Sequence, residues 1–144
     1  MENTSLLIIG GGPAGLTAGI YALRAEIKTA IIEPAFPGGN MLITERIDNY
    51  PGFPLGVSGV ELAEQMKQQY LGFGGEIISG EVEDIAINGE RKTVRMAGGK
   101  EIQAYAVIIA SGSSRQSLGV EGEEEYTGKG VSSCAICDGA FFKG

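Results

Sequence analysis

The stretch SLLIIGGGPAGLTAGIYALRAEIKTAIIE, residues 5–33, decides the fold. Residues 5–9 form a short apolar run that ends in glycine, the pattern of a strand buried on both faces of a parallel sheet. The chain then enters Gly10-Gly11-Gly12-Pro13-Ala14-Gly15, and a helical pattern starts at once. Pro13 suits a first helical turn, where its missing N–H would have had no partner. Gly15, Ala18, Gly19 and Ala22 make a small-residue face that lets the helix lie close to a sheet. A second apolar run, residues 29–32, ends at Glu33. Strand, helix and strand in this order predict a parallel β-α-β unit.

The glycines Gly10, Gly12 and Gly15 have the spacing G-x-G-x-x-G, with an acid eighteen residues after the last of them. That spacing alone is weak evidence. Following a buried strand and opening a helix, it is a dinucleotide fingerprint. Backbone without side chains can approach a pyrophosphate, whose charge sits among the free N–H groups of the helix start. Glu33 is placed to accept hydrogen bonds from ribose hydroxyls and would repel a 2′-phosphate. The bland alternative is a glycine-rich turn followed by a chance acid.

Beyond Glu33, residues 34–56 hold four of the five prolines and four glycines without sustained periodicity. Apolar residues such as Phe36, Met41, Leu42 and Ile47 argue against disorder, so an ordered ligand-covering segment is expected. Ser58-Gly59-Val60-Glu61 is a capping box that opens a helix with Leu62, Met66, Tyr70 and Phe73 on one face. Short strands are predicted at 76–78, 81–87 and 92–96, with turns at Asn88-Gly89 and Gly98-Gly99. Residues 100–103 complete a small antiparallel meander. A buried strand at 105–109 then runs into Ala110-Ser111-Gly112, at the strand end where ligands of open α/β sheets collect. The acidic run 121–125 is expected to be a solvated connector.

Composition excludes several chemistries. The 144 residues are 43% hydrophobic and 20% charged, enough apolar content for a core, and the 24 glycines are far above ordinary usage. With no His in the chain, a Ser-His-Asp triad, an HExxH zinc site and a His-ligated haem are excluded. Eleven Lys and Arg against eighteen Asp and Glu give a net charge of −7, which argues against nucleic acid as a partner. No apolar run approaches a bilayer-spanning length, and the polar N-terminus lacks a basic signal-peptide region. Neither a membrane nor a metal is expected, and the expected location is the cytoplasm.

The two cysteines are Cys134 and Cys137, spaced C-x-x-C and followed by Asp138. This spacing allows reversible disulfide closure, and Asp138 is a candidate proton shuttle for thiol–disulfide exchange. Half of a shared zinc site and a pair of inert buried thiols are the alternatives. Gly38-Gly39-Asn40 and Asn49-Tyr50-Pro51-Gly52 either line a planar cofactor or are ordinary turns, and the residues alone divide these evenly. The same holds for Ala110, Ser111 and Gly112, whose alternative is a plain strand exit.

Taken together, GGGPAG at 10–15, Glu33, GGN at 38–40, IDNYPGFP at 47–54, ASG at 110–112 and CAICDG at 134–139 resemble one family. It is that of the bacterial-type, low-molecular-weight thioredoxin reductases, pyridine nucleotide-disulfide oxidoreductases, and the likeness is to their FAD-binding half. The resemblance implies an α/β, Rossmann-like FAD-binding domain with a parallel sheet and a small antiparallel meander, over residues 1–114. Residues 115–144 would then be a linker and the start of a second nucleotide-binding domain carrying the dithiol.

It further implies that Gly10, Gly12, Pro13, Ala14 and Gly15 cradle the FAD pyrophosphate and that Glu33 holds the adenosine ribose. Gly38, Gly39, Asn40, Ile47 and Asn49 would approach the flavin, Val82 the adenine, and Ala110, Ser111 and Gly112 the same cofactor. Cys137 would lie beside the flavin ring, Cys134 would exchange with a thioredoxin-like protein, and Asp138 would handle the proton. NADPH is the implied donor, bound outside this chain, with ferredoxin or another reductant as the alternative; a homodimer is implied as well. Asn40 and Ser111 stand where the family usually has glutamine and threonine. The family continues past the dithiol, so this chain is expected to be about the first half of a reductase or one piece of a two-chain assembly. Residues 115–144 are too few for a core and would leave Phe141 and Phe142 nowhere to bury. A nucleotide-binding module without turnover is the competing function.

Overall fold

Alternation along β1 (Glu2–Ile9) divides its side chains between two cores. The computed structural model, which describes residues 2–114, 116–135 and 139, places Leu6 and Ile8 in one cluster and Leu7 and Ile9 in another. The first cluster is closed by two helices, α1 (Pro13–Arg24) with Leu16 and Ile20, and α2 (Gly59–Gly72) with Leu62, Met66 and Tyr70. The second is closed by Val94, Met96, Ile102 and Ala104 of a β-meander. Burying side chains such as Leu7, Ile8 and Ile31 contributes about 1.5–3 kcal/mol each.

β1 pairs in parallel with β2 (Thr29–Glu33) on one side and with β6 (Glu101–Ile109) on the other. β2 pairs in parallel with β3 (Glu76–Ser79). The meander of β4 (Val82–Asn88), β5 (Arg91–Met96) and β6 is antiparallel, giving the sheet order β3-β2-β1-β6-β5-β4. A mostly parallel α/β fold with an antiparallel meander is therefore present, as the sequence predicts. The chain divides into two units, Met1–Gly112 and Ser113–Gly144.

Some details differ from the sequence reading. The predicted strands at 100–103 and 105–109 are one continuous strand, β6. Its second half is not buried: Tyr105 is 51% and Ile109 69% exposed. The pairing with β5 stops at Ala104, so beyond that residue β6 keeps only β1 beside it among the described residues. Phe73 does not join the buried face of α2 either. It is the C-cap and is exposed, because the helix ends at Gly72 and Gly74 turns the chain at φ +82°.

Tyr70 locks the helices to the sheet. Its hydroxyl donates to the Thr29 carbonyl at 3.2 Å and the Glu76 carbonyl at 3.0 Å, tying α2 to β2 and β3. The ring lies against Gly19 of α1, where an added Cβ would come within 2.6 Å of Tyr70 Cε2. That contact is the reason α1 carries glycine on this face. Burial pushes the phenol up to about 12. The neutral phenol is therefore worth most below its usual value of 10.0, and this stabilisation is lost as pH rises through about 12. Tyr70→Phe is expected to lower the unfolding free energy by about 1–3 kcal/mol, measured by urea denaturation at neutral pH.

The second unit contains α3 (Glu123–Tyr126), a single turn. The acidic run is not merely solvated. The Glu123 carboxylate accepts hydrogen bonds from the Leu118 and Gly119 amides at 2.9 and 2.8 Å and from the Ser117 hydroxyl at 2.7 Å. These bonds, that from Leu118 foremost, hold the Glu123 carboxyl below the usual range. No helix among the described residues is long and apolar enough to cross a membrane.

Candidate functional site

Because β1, β2 and β6 are parallel neighbours, the loops that follow them emerge at one edge of the sheet. These loops are Gly10–Gly12, Pro34–Gly39 and Ala110–Gly112. Backbone contacts bind them together. The Gly38 amide donates to the Gly11 carbonyl at 2.8 Å, and the Ala110 amide donates to the Ile9 carbonyl at 2.7 Å. Gly10, at φ +103°, packs on Ala110 and Ser111: a Cβ there would run into the Ala110 carbonyl. Gly15 abuts the Gly10 carbonyl in the same way. Both glycines are thus required by the protein itself.

Gly12 is different. It is the N-cap of α1, with φ −71° and ψ −176°, and a Cβ built on it would meet nothing nearer than the Gly39 Cα at 3.9 Å. No side chain caps the helix, and Pro13 occupies its first turn. The early N–H groups of α1 therefore face outward at the positive end of its dipole. The loops at 10–15, 34–40 and 110–112 contain no Lys or Arg. Charge on a ligand here is met by backbone N–H groups rather than by side-chain cations. A Cβ on Gly12 would enter open space bounded by Gly39, and the uncapped helix start beside it suits an anionic group such as a diphosphate.

Glu33 stands at the end of β2, half-buried. One carboxylate oxygen accepts from the Gly11 amide at 2.7 Å and the other from the Ala35 amide at 3.1 Å. A second lone pair on each oxygen remains to accept from a further donor. The sequence points to the ribose role but gives no sign of this crosslink between loops, since the partners are main-chain amides.

Gly38, at φ +138°, caps a 3-10 turn over Gly39–Ile43. Ile47 forms an antiparallel bridge with Val57, with amide–carbonyl distances of 2.8 and 3.0 Å, so the segment 34–56 is ordered as expected. Asn40 and Asn49 lie on its exposed surface. Arg46 braces it, donating to Asp48 at 2.7 Å and to the Leu55 carbonyl at 3.2 Å, a feature without a sequence signal. Val82 opens β4, two residues after Gly80, whose amide donates to the Glu33 carbonyl at 3.2 Å. The register shifts between Val82 and Asp84, a bulge that interrupts the ladder beside Val82.

Contacts between loops thus unite Gly10, Gly11, Gly12, Gly15, Glu33, Gly38, Gly39, Ala110 and Ser111. Cys134 belongs to the second unit and is disulfide-bonded. The Ser132 hydroxyl accepts from the Cys134 amide at 3.1 Å and donates to the Cys134 carbonyl at 3.3 Å, fixing the backbone at the cysteine. Cys137, Asp138, Phe141 and Phe142 lie outside the described residues. Among the described residues no group of three Cys, Asp or Glu could hold a metal ion.

Comparison with known proteins places the chain in a family. The profile of the pyridine nucleotide-disulphide oxidoreductase family matches residues 4–143. A thioredoxin reductase of Bacillus subtilis is 48% identical over 139 residues, which are 96% of this chain and 43% of that protein. The crystal structure of thioredoxin reductase from Streptococcus pyogenes superimposes with a TM-score of 0.87 at 48% identity, covering 98% of this chain and 45% of that one. A ferredoxin-flavin thioredoxin reductase from Clostridium acetobutylicum superimposes with a TM-score of 0.71 at 30% identity, covering 100% of this chain and 49% of that one. The chain therefore spans less than half the length of these relatives.

Proposed function

The chain belongs to the pyridine nucleotide-disulphide oxidoreductase family, and from that premise we propose that it binds FAD in its first unit and serves a flavin-dependent disulfide reductase. In this role it passes electrons through Cys134 and Cys137 to a small protein disulfide of the thioredoxin type. The observation that carries the proposal is the convergence of three glycine-bearing loops around an uncapped helix start, with an open cleft over Gly12. Gly12, Ala14 and Gly15 offer amides to the pyrophosphate, and Pro13 sets the helix start without obstructing it. Glu33 holds the ribose. Gly38, Gly39, Asn40, Ile47 and Asn49 face the flavin, Val82 the adenine, and Ala110, Ser111 and Gly112 close the other side. Bound FAD supplies a two-electron store between the donor and the dithiol.

Two electrons and two protons open the disulfide to a dithiol. The Cys134 thiolate attacks one sulfur of the partner disulfide, releasing the other as a thiolate and forming a mixed disulfide. Cys137 then attacks Cys134, which frees the reduced partner and restores the internal disulfide. Asp138 carries the proton that these steps exchange.

NADPH is the proposed donor. The likeness to the ferredoxin-flavin enzyme from Clostridium acetobutylicum favours a reduced ferredoxin as a second reading. Anaerobic mixing of each donor with the flavin-loaded protein, joined to the donor-binding segment that the resemblance places outside this chain, separates them. Bleaching of the visible flavin band by NADPH is the expected outcome, and bleaching by reduced ferredoxin alone selects the second reading. A band that neither donor bleaches contradicts the reductase assignment.

A further inference from the structure

We propose that Gly59, which belongs to none of the cofactor motifs, is a positioning residue that fixes the Gly39–Ile43 turn from the start of α2. Glycine costs a helix stability at an ordinary position, so its presence in the first turn of α2 calls for a reason. Conformation is not the reason, since Gly59 is not among the glycines of positive φ. Space is. A Cβ at Gly59 would run into the Met41 carbonyl oxygen, with the Met41 carbonyl carbon and the Thr44 oxygen both 2.8 Å away. The Gly59 amide also donates to the Thr44 carbonyl at 3.0 Å. The helix start therefore rests on the backbone of the turn itself.

A second contact comes from the same helix face. Ala63, one helical turn after Gly59, faces Gly38: a Cβ on Gly38 would lie 2.7 Å from that of Ala63 and 2.8 Å from Leu42 Cδ2. Residues 59 and 63 thus hold the two ends of the turn, Met41–Thr44 and Gly38. The turn has no fully buried residue of its own, and only Met41, half-buried, packs against the main core. Its place is set by this seat together with the Met41 contact and the Gly38–Gly11 hydrogen bond. α2 in turn is fixed by Leu62, Met66 and Tyr70 in the main core. Gly59 thereby links the core to the placement of Gly39 and Asn40.

The consequence for the cofactor rests on the reading of Gly38, Gly39 and Asn40 as flavin-facing, and the test keeps the two separable. Gly59→Ala is compared with Tyr70→Phe, which loosens the same helix at its far end without touching the turn. Hydrogen exchange of the amides at 41–44 is measured by mass spectrometry, and FAD affinity by flavin fluorescence. Gly59→Ala is expected to speed exchange at 41–44 by about tenfold or more and to weaken FAD by about tenfold, with a shifted band for the flavin that remains. Tyr70→Phe is expected to change both by less than about threefold. Should Gly59→Ala fail to fold, Ala63→Val presses on the same turn through Gly38 and is expected to act in the same direction. Unchanged exchange at 41–44 in a folded Gly59→Ala or Ala63→Val variant overturns the proposal. Faster exchange in a protein that binds no FAD upholds the role of Gly59 and removes the flavin reading instead.

Discussion

Gly12→Ala is expected to fold like the parent chain and to lose FAD affinity by about a hundredfold or more, equivalent to about 2.7 kcal/mol. The separation follows from geometry. The backbone of Gly12 has dihedral angles that any L-residue adopts, and the added methyl points into a cleft whose nearest atom is 3.9 Å away. Within the protein it collides with nothing, so stability is expected to change by less than about 1 kcal/mol. The methyl does occupy the path by which a diphosphate reaches the α1 amides. Gly10 and Gly15 offer no such separation. A Cβ on either meets a backbone carbonyl, and alanine there damages the fold together with the site. Thermal unfolding of the apo protein, paired with a fluorescence titration of FAD, measures both sides. An equal affinity in Gly12→Ala and parent would place the dinucleotide elsewhere.

Cys134→Ser carries the second large effect. Reduction of a thioredoxin-type protein disulfide is expected to fall by about a thousandfold or more, while FAD retention stays at the parent level. A serine hydroxyl is not ionised at neutral pH and cannot form the mixed disulfide, so exchange stops at its first step. Cys134 lies in the second unit and all the loops of the cradle lie in the first, which is why binding is expected to survive. Steady-state disulfide reduction with the effective donor gives the rate, and the visible spectrum gives the flavin content. A nucleotide-binding module without turnover would show no difference between parent and variant.

Much of the architecture was legible because the β-α-β unit writes its geometry into local pattern. A buried run into glycine, proline in the first turn and an acid after the second run each have one simple structural reading. The helix at Ser58 was legible for the same reason: its Ser58 hydroxyl accepts from the Glu61 amide at 3.1 Å. What escaped depends on contacts distant in sequence. The exposure of Ile109 depends on what covers that face of β6, which no pattern within 105–109 encodes. The double duty of Glu33 depends on amides whose identity a sequence does not display. Within the capping box nothing in the sequence marks Gly59, and only the Met41 carbonyl beside it reveals why glycine stands there.

The most direct test of the flavin cradle is a visible spectrum of the purified protein after incubation with FAD and desalting. A retained flavin band near one equivalent per chain, lost in Gly12→Ala, is the expected result. A Gly12→Ala variant that keeps the band in full would contradict the assignment of this cleft to FAD.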